Sequence, residues 1–330
     1  MVTASSLPCL VFRHSDDQHA TTLYSVSDGA RRRCEEMDEV LHGKRSWVTS
    51  RGWLLLWDPA TLATFLWNPR AAASDGDKIE LSPWASPPPS GTDCVLSGEP
   101  TDPTGCTVVV LDWYNSGSDE TALWYCHAGG TPSLWARYVY DLGGSWTPWG
   151  EFAKRSVHGL VACRGKFYWA LTADEFGVLE FSPEPALTTV MMKKAVEIVI
   201  PAGEEYAEAF AYSLDLDGEV HMVWIFTGAR SGAIVEIAVY RVDLAGKSFI
   251  RVDSIGDRAI LAGGMSYLFA SWCPANEFGL LRNSVYWINP CDGRMYVYEV
   301  GSNTEEVREV GEGAQKQSQS PPFWIVPAQP

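Results

Sequence analysis

The sequence predicts an all-β fold, a β-propeller of six or seven four-stranded blades whose ring is closed by the C-terminal strand. About twenty short runs of alternating, β-branched or aromatic residues are separated by turn residues, and helical patterns are nearly absent. Units of about 45 to 60 residues repeat one order of strands and turns, which suits a four-stranded meander. The 330 residues include 15 Trp, 13 Tyr and 12 Phe, enough for a large core.

The repeated unit is an opening strand, a turn with glycine, a strongly apolar strand, a polar turn and another strand. It appears in WVTSRGWLLLWDPATLATFLWNP, in VHGLVACRGKFYWALTADEFGVLEFSPEP and in LLRNSVYWINPCDGRMYVYEVGSNTEEVREV. Two of these units end an aromatic strand with Asn-Pro, where proline cannot continue a ladder. The predicted blades cover residues 7–43, 44–90, 91–153, 154–202, 203–254 and 255–313. The third unit is long, which leaves seven blades open.

The chain is predicted to be one domain, residues 1–330. A polar loop at 301–320 precedes the closing strand within 322–327. Because a propeller ring must close, we expect residues 323–326 to pair in the blade that contains residues 10–12. The alternative is a pair of β-sandwiches joined through the Pro/Ser-rich stretch 82–91, which the propeller interpretation assigns to a loop between blades.

Two short segments have helical character. RRRCEEMDEVLHG places Cys34, Met37 and Leu41 at helical spacing, and PANEFG is consistent with a short loop helix. Neither segment determines the fold.

The net charge of −16 argues against a phosphate-binding surface for DNA or RNA and against an anionic membrane surface. It suits solubility or a basic partner. The basic clusters at Arg31–Arg33 and in residues 42–46 are short, and we expect them to be solvated loop charges. No run reaches the roughly 18 apolar residues that a membrane helix needs.

The eight cysteines are scattered and form no C-x-x-C pair. Cys126 and His127 are adjacent on a predicted strand, so their side chains point to opposite faces and make a poor chelate. The N-terminus lacks the basic and apolar regions of a signal peptide. We therefore expect reduced thiols in a cytoplasmic or nuclear protein, without a metal or cofactor.

Aromatic residues near turns are the main candidates for binding. Exposed rings at the loop ends of a propeller would form a protein-binding rim, whereas buried rings would fill the wedge between blades. The candidate rim residues are Trp84, Trp113, Tyr114, Trp135, Trp146, Trp149 and Trp272.

Three polar residues are candidates for the central channel: His158, Asp257 and Arg258. The structural interpretation is favoured for each, with Asp257 capping a turn, Arg258 pairing across blades and His158 packing, because His158 has no adjacent nucleophile or carboxylate. The stretch SLDLDGEV has Phe226 where a calcium loop needs glutamate, so its Asp-Gly predicts a hairpin turn. The sequence therefore predicts no catalytic residue and no metal ligand.

Three segments and the C-terminus carry a family resemblance. They are residues 52–84 (GWLLLW to IELSPW), residues 93–111 (DCVLSGEPTDPTGCTVVVL), residues 254–290 (SIGDRAILAGGMSYLFASWCPANEFGLLRNSVYWINP) and the closing PFWIVP. Together they resemble the plant F-box-associated KIB-type β-propeller family (domain of unknown function 295). Residues 254–290 are the most specific part.

The resemblance implies a plant protein whose propeller recognises another protein, as part of a ubiquitin-ligase pathway or as a regulator of a kinase or other partner. Many family members carry an N-terminal F-box that docks on a Skp1-type adaptor. This sequence enters the predicted propeller by residue 7, so adaptor docking is not expected; either the member lacks an F-box or the sequence is trimmed. Without an F-box, the propeller could act as a decoy binder.

The sequence thus predicts a non-enzymatic protein-interaction propeller. The alternatives are a hydrolase with a site in the central channel and a glycan-binding propeller that uses tryptophan-lined grooves. The hydrolase alternative requires carboxylates and a histidine that converge at the starts of the inner strands.

Overall fold

The structure is a six-bladed β-propeller. This computed structural model describes residues 2, 6–13, 20–71, 77–112, 120–129, 133–146, 152–182, 184–196, 206–228, 234–264, 268–301, 304–310 and 322–328. None of the helices in these ranges is long and apolar enough to cross a membrane.

The strands and the one α-helix of the described chain follow one another in short meanders. Blades 1 and 2 contain β1 (Cys9–Arg13), β2 (Thr21–Ser25), β3 (Arg31–Arg33), α1 (Glu35–Leu41), β4 (Arg45–Val48), β5 (Leu54–Trp57), β6 (Thr64–Trp67) and β7 (Lys78–Leu81). Blade 3 and the hairpin after it contain β8 (Thr92–Leu96), β9 (Cys106–Asp112), β10 (Thr121–Ala128), β11 (Ala136–Tyr140), β12 (Gly144–Trp146) and β13 (Phe152–Lys154).

The second half of the chain repeats the pattern. Blade 4 contains β14 (Val161–Cys163), β15 (Lys166–Ala170), β16 (Glu175–Phe181) and β17 (Pro185–Met191). Blade 5 contains β18 (Tyr206–Leu216), β19 (Glu219–Gly228), β20 (Ile234–Asp243) and β21 (Ser248–Val252). Blade 6 contains β22 (Arg258–Gly263), β23 (Ala270–Pro274), a 3-10 turn (Asn276–Phe278), β24 (Ser284–Ile288), β25 (Met295–Glu299) and β26 (Thr304–Arg308), and β27 (Phe323–Ile325) follows it.

The C-terminal strand closes the ring, as expected. β27 pairs antiparallel with β1 in the register Cys9 to Ile325, Leu10 to Trp324 and Val11 to Phe323, so blade 1 has the strand order β27-β1-β2-β3. The Trp324 indole N–H donates to the Ala262 carbonyl of blade 6 at 3.2 Å. The closing strand therefore ties blade 1 to blade 6 through both backbone and side chain.

Six inner strands surround the channel and six outer strands form the rim. The inner strands are β27, β4, β8, β14, β18 and β23, and each is the innermost member of its sheet. The outer strands are β3, β7, β11, β17, β21 and β26. Continuous buried clusters fill each wedge between neighbouring blades, for example Trp53, Val108 and Cys126 between blades 2 and 3. The core of the protein thus lies between blades rather than in one centre.

Blade 6 departs from the four-stranded plan. Its order is β23-β22-β24-β25-β26, with β22 parallel to β24. Gly263 is the last residue of β22 and Gly264 follows it, with positive φ angles of 77° and 100°. A Cβ at Gly263 would lie 2.3 Å from the Ile288 carbonyl oxygen, and one at Gly264 would lie 2.6 Å from that of Pro322. Glycine therefore lets the chain reverse against both β24 and β27.

Several expectations need correction. The extra length of the third unit forms the two-stranded hairpin β12–β13 and not a seventh blade. Arg31–Arg33 is the outer strand of blade 1 and not a loop, because it pairs with β2. Part of the expected polar loop at 301–320 is β26, which pairs with β25. The two short helices are confirmed, with Met37 and Leu41 buried under α1, and the sandwich alternative is excluded by the ring of blades.

Ring closure predicts the cost of truncating Trp324. Its side chain is almost fully buried, so Trp324→Ala should lower the free energy of unfolding by about 3–5 kcal/mol. Urea denaturation followed by circular dichroism measures this change. The control is Val307→Ala on the exposed face of an outer strand, which should change the free energy of unfolding by less than about 0.5 kcal/mol. A loss below about 1 kcal/mol for Trp324→Ala would show that the ring does not depend on this side chain.

Candidate functional site

The central channel is nearly filled by its own walls. Side chains of the inner strands and their flanks converge there, including Val48, Asp93, Leu160, Ser213 and Phe269. The described walls leave a cavity of about 30 Å³, room for one or two water molecules. Small-molecule sites usually enclose roughly 300–1,000 Å³. The described cavity lies well below that range.

A polar cluster lies where the channel opens beside the turns that follow the inner strands. This mouth cluster consists of Asp215, Cys163, Arg51 and Arg164. Burial raises the pKa of the Asp215 carboxyl, and the Gly218 N–H, the Arg51 charge, the Cys163 thiol and the Arg164 charge oppose the shift. Asp215 Oδ1 accepts the Gly218 N–H at 2.8 Å.

The thiol of the mouth cluster is a weak nucleophile. Burial raises the pKa of the Cys163 thiol to about 11, so the thiol stays protonated at neutral pH and is a weak nucleophile. The described groups that act on the Asp215 carboxyl are two arginines, a thiol and a backbone amide, and no second carboxylate or histidine is among them. The Cys163 thiol is hydrogen-bonded to the Asp215 carboxyl, and the Glu219 charge also raises the pKa of that thiol. The described arrangement therefore holds the carboxyl in place beside a protonated thiol.

His158 and the Asp257–Arg258 pair lie on opposite faces of the propeller. His158 precedes inner strand β14, and its Nδ1 lies 3.0 Å from the Ser156 carbonyl oxygen. Arg258 begins β22 and forms an ion pair with Asp217, which is in the turn after inner strand β18. The inner strands all run in the same direction along the channel axis. The start of one inner strand and the end of another therefore lie at opposite ends of the channel.

Arg258 links blade 6 to blade 5, as the structural interpretation predicts. Besides Asp217, its guanidinium lies 5.3 Å from the ring centroid of Trp272 and donates to the Ile255 carbonyl at 3.2 Å. The Asp257 backbone carbonyl accepts the Ala275 N–H at 2.8 Å. These bonds fix a corner between two blades.

Two of the aromatic rim candidates are buried between blades. Trp84 is 4% exposed and Trp272 is 7% exposed. Trp84 stacks on Trp135 with ring centroids 4.4 Å apart and lies 6.4 Å from Trp47. The expectation of an exposed rim is therefore wrong for Trp84 and Trp272, because large rings fill the wedge that widens outward between blades.

Of the other rim candidates, one is partly buried and the rest have side chains outside the described part of the structure. Trp135 is partly buried, and its indole N–H donates to the Ser82 carbonyl at 2.9 Å, which ties blade 3 to the loop after blade 2. Trp146 belongs to β12, and its side chain lies outside the described part of the structure. Trp113, Tyr114 and Trp149 lie outside the described residues.

A cleft between the outer parts of blades 4 and 5 was missed by sequence reasoning. It has a volume of about 460 Å³. Its lining residues come from the segment after β17 and from β20 and β21: Lys193, Lys194, Ala195, Tyr240, Ser248, Phe249 and Arg251. The adjacent lysines after a strand were a possible signal, but Arg251 is contributed from another blade, which the sequence does not show.

The cysteines and acids of the described chain form no metal centre. Seven cysteines are buried thiols outside any disulfide, and Cys291 is exposed in the turn after β24. Among the described residues, no group of three or more His, Cys, Asp or Glu side chains could hold a metal ion.

Comparison with known proteins identifies one matching family and several solved structures with distant similarity to this chain. The model of the KIB1-4 beta-propeller family matches residues 23–310, and no curated protein matches the chain. A protein from Lactobacillus plantarum is 11% identical over 92% of this chain and 95% of that chain, with a TM-score of 0.40. The periplasmic gluconolactonase of Pseudomonas aeruginosa is 11% identical over 97% and 99%, with a TM-score of 0.34. These values carry no argument about activity.

The burial of Asp215 predicts a pH-dependent effect of removing its charge. The folded protein binds this proton more tightly than the unfolded chain, so wild-type stability falls as pH rises from the unfolded pKa through the folded pKa. Asp215→Asn keeps an oxygen for the Gly218 N–H but has no charge. It should therefore be more stable than the wild type at pH 7, and the advantage should shrink as the pH falls to about 4.

Urea denaturation at pH 4 and pH 7 measures this difference. The matched control is Asp243→Asn, whose Oδ1 accepts the Gly246 N–H at 2.8 Å in a turn outside the channel. A variant that is less stable than the wild type at pH 7 would show that the two arginines outweigh the burial of the carboxyl.

Proposed function

Since the chain belongs to the KIB1-4 beta-propeller family, we propose that it is a non-enzymatic propeller that binds another protein through its outer strands. The partner is a protein and not a nucleic acid or a membrane, in keeping with the net charge of −16. The family resemblance further suggests a plant protein of the cytoplasm or nucleus that acts as a recognition module or decoy beside F-box proteins.

One observation carries this proposal: large apolar side chains are exposed on four successive outer strands. They are Val139 on β11, Met191 on β17, Ile250 on β21 and Val307 on β26. Burial of exposed apolar surface against a partner would contribute about 25 cal/mol of binding free energy for every Å² removed from water. The outer strands of blades 1 and 2 instead carry Arg31–Arg33 and the Lys78–Glu80 ion pair.

The position of these side chains fits a protein partner better than a small ligand. The four side chains stand on the outer strands of four blades, so a partner large enough to span several blades is needed to cover more than one of them. The small cavity of about 30 Å³ in the described channel supports this proposal over a hydrolase with its site there.

A triple variant tests the proposed role. Val139→Ser, Ile250→Ser and Val307→Ser together remove three exposed apolar side chains from the outer strands of blades 3, 5 and 6. Because these side chains are exposed, each substitution should change the free energy of unfolding by less than about 0.5 kcal/mol. Affinity purification from native tissue should then recover proteins with the wild type that the triple variant loses.

The matched control is Leu134→Ser with Leu281→Ser, two exposed apolar residues in loops, which should retain the same proteins. An unchanged set of captured proteins with the triple variant would contradict the outer-strand proposal. A hydrolytic activity toward aryl esters or glycosides that Asp215→Asn abolishes would contradict the non-enzymatic role.

A further inference from the structure

The outer strand of blade 4 differs from the other outer strands in having no charge. β17 is seven residues long, PALTTVM, and Ala186, Thr188, Thr189 and Met191 are exposed along it. The other outer strands each carry charged side chains: Arg31–Arg33 on β3, Lys78 and Glu80 on β7, Arg137 on β11, Arg251 on β21, and Glu305, Glu306 and Arg308 on β26. Charges on an edge strand discourage pairing with another chain. The edge of blade 4 lacks this protection.

The backbone of β17 has hydrogen-bonding groups directed at its open edge. The Met192 N–H donates to the Asp174 carbonyl at 2.7 Å, on the β16 side. Backbone direction alternates along a strand, so Leu187, Thr189 and Met191 direct their N–H and C=O groups away from β16. In the described part of the chain, β16 is the strand that pairs with β17. The edge therefore offers a row of sites for an added strand.

The basic cleft continues from the end of this edge. Lys193 and Lys194 follow β17, and the Lys193 N–H donates to the Lys247 carbonyl of blade 5 at 2.8 Å. Arg251 lines the same cleft. Its guanidinium forms a 2.7 Å ion pair with Glu236, whose side chain is 8% exposed. Two lysines and one arginine thus line the cleft, and the arginine is paired with a buried carboxylate. The lysines place positive charge beside the edge of β17 on a chain of net charge −16.

We propose that the edge of β17 and the cleft beside it bind an extended acidic segment of the partner protein by β-strand addition. The inference rests on the proposed function and specifies where the partner docks. The segment pairs with the outward backbone groups of Leu187, Thr189 and Met191, and its carboxylates enter the cleft of Lys193, Lys194 and Arg251.

The geometry also sets the direction of the bound segment. β17 runs toward the cleft, from Pro185 to Met191. A strand added antiparallel, the commoner arrangement, begins at the cleft and ends near Pro185. The acidic residues therefore precede the strand-forming residues in the partner's sequence. Backbone bonds supply affinity, and the lysines and Arg251 supply the choice of sequence and a dependence on salt.

A labelled peptide tests the proposal. The probe has three glutamates followed by alternating threonine and valine, with fluorescein at its C-terminus, and fluorescence polarisation measures its binding to the full chain. Wild type should bind it, and peptides with three lysines in place of the glutamates, or with the glutamates moved to the C-terminus, should bind about tenfold more weakly. Equal binding of all three peptides would overturn the proposal.

Variants of the protein test the two parts of the surface separately. Thr189→Pro removes one outward N–H and leaves the bonds to β16 in place, so peptide binding should fall about tenfold. The matched control Thr189→Ala keeps the N–H and should bind within about twofold of wild type. Lys193→Glu with Lys194→Glu should also weaken binding about tenfold and flatten its dependence on salt. Unchanged binding by Thr189→Pro would overturn strand addition.

Two measurements separate this inference from folding effects and from the proposed function. If Thr189→Pro unfolds, hydrogen exchange of the wild type with and without peptide replaces it: protection of residues 187–191 supports the proposal, and protection elsewhere alone overturns it. The Val139, Ile250 and Val307 triple variant keeps β17 intact and should bind the peptide like wild type. Loss of cellular proteins by that variant together with no peptide binding by wild type would overturn the docking inference and leave the proposed function standing.

Discussion

The pairing of β27 with β1 is the constraint on which the rest of the structure depends. It joins the two ends of the described chain in one sheet, with Trp324 opposite Leu10. The entropy lost in closing a long loop grows only slowly with its length, so three buried residues and the cores of two wedges can hold the ring shut. Once it is shut, each blade has two neighbours and every wedge is filled.

Closure also determines which surfaces remain for function. The six inner strands are drawn together, and the described channel keeps only about 30 Å³. Aromatic side chains such as Trp84 and Trp272 are buried where neighbouring blades pack together. The outer rim remains accessible and presents sheet edges and exposed apolar side chains. The proposed recognition surface is therefore on the part of the ring that closure leaves open.

Much of the fold could be predicted from the sequence, because turns and alternation are local signals. The Asp217–Gly218 turn adopts positive φ angles of 56° and 76°, as Asp-Gly in a hairpin requires. The closing strand followed from the need to complete a ring. The strand order of blade 6 could not be predicted, since alternation fixes which face a residue occupies but not which strand lies beside it.

The candidate site was harder to predict because it depends on contacts between blades. Trp84 and Trp272 lie near turns in the sequence, and each is buried where its own blade packs against the neighbouring blade. Lys193 and Arg251 are separated by a whole blade of sequence yet line one cleft. The pairing of Arg258 across blades was predicted, because an arginine at the start of a strand has neighbouring blade turns within reach.

Native-state hydrogen exchange tests the central claim that closure makes the ring one cooperative unit. If β27 holds the ring, the amides of β1 and the buried inner strands should exchange with the same free energy, equal to that of global unfolding, and should respond equally to denaturant. Faster exchange of β27 and β1, while blades 3 to 5 stay protected, would contradict the claim and show that the ring persists without its closing strand.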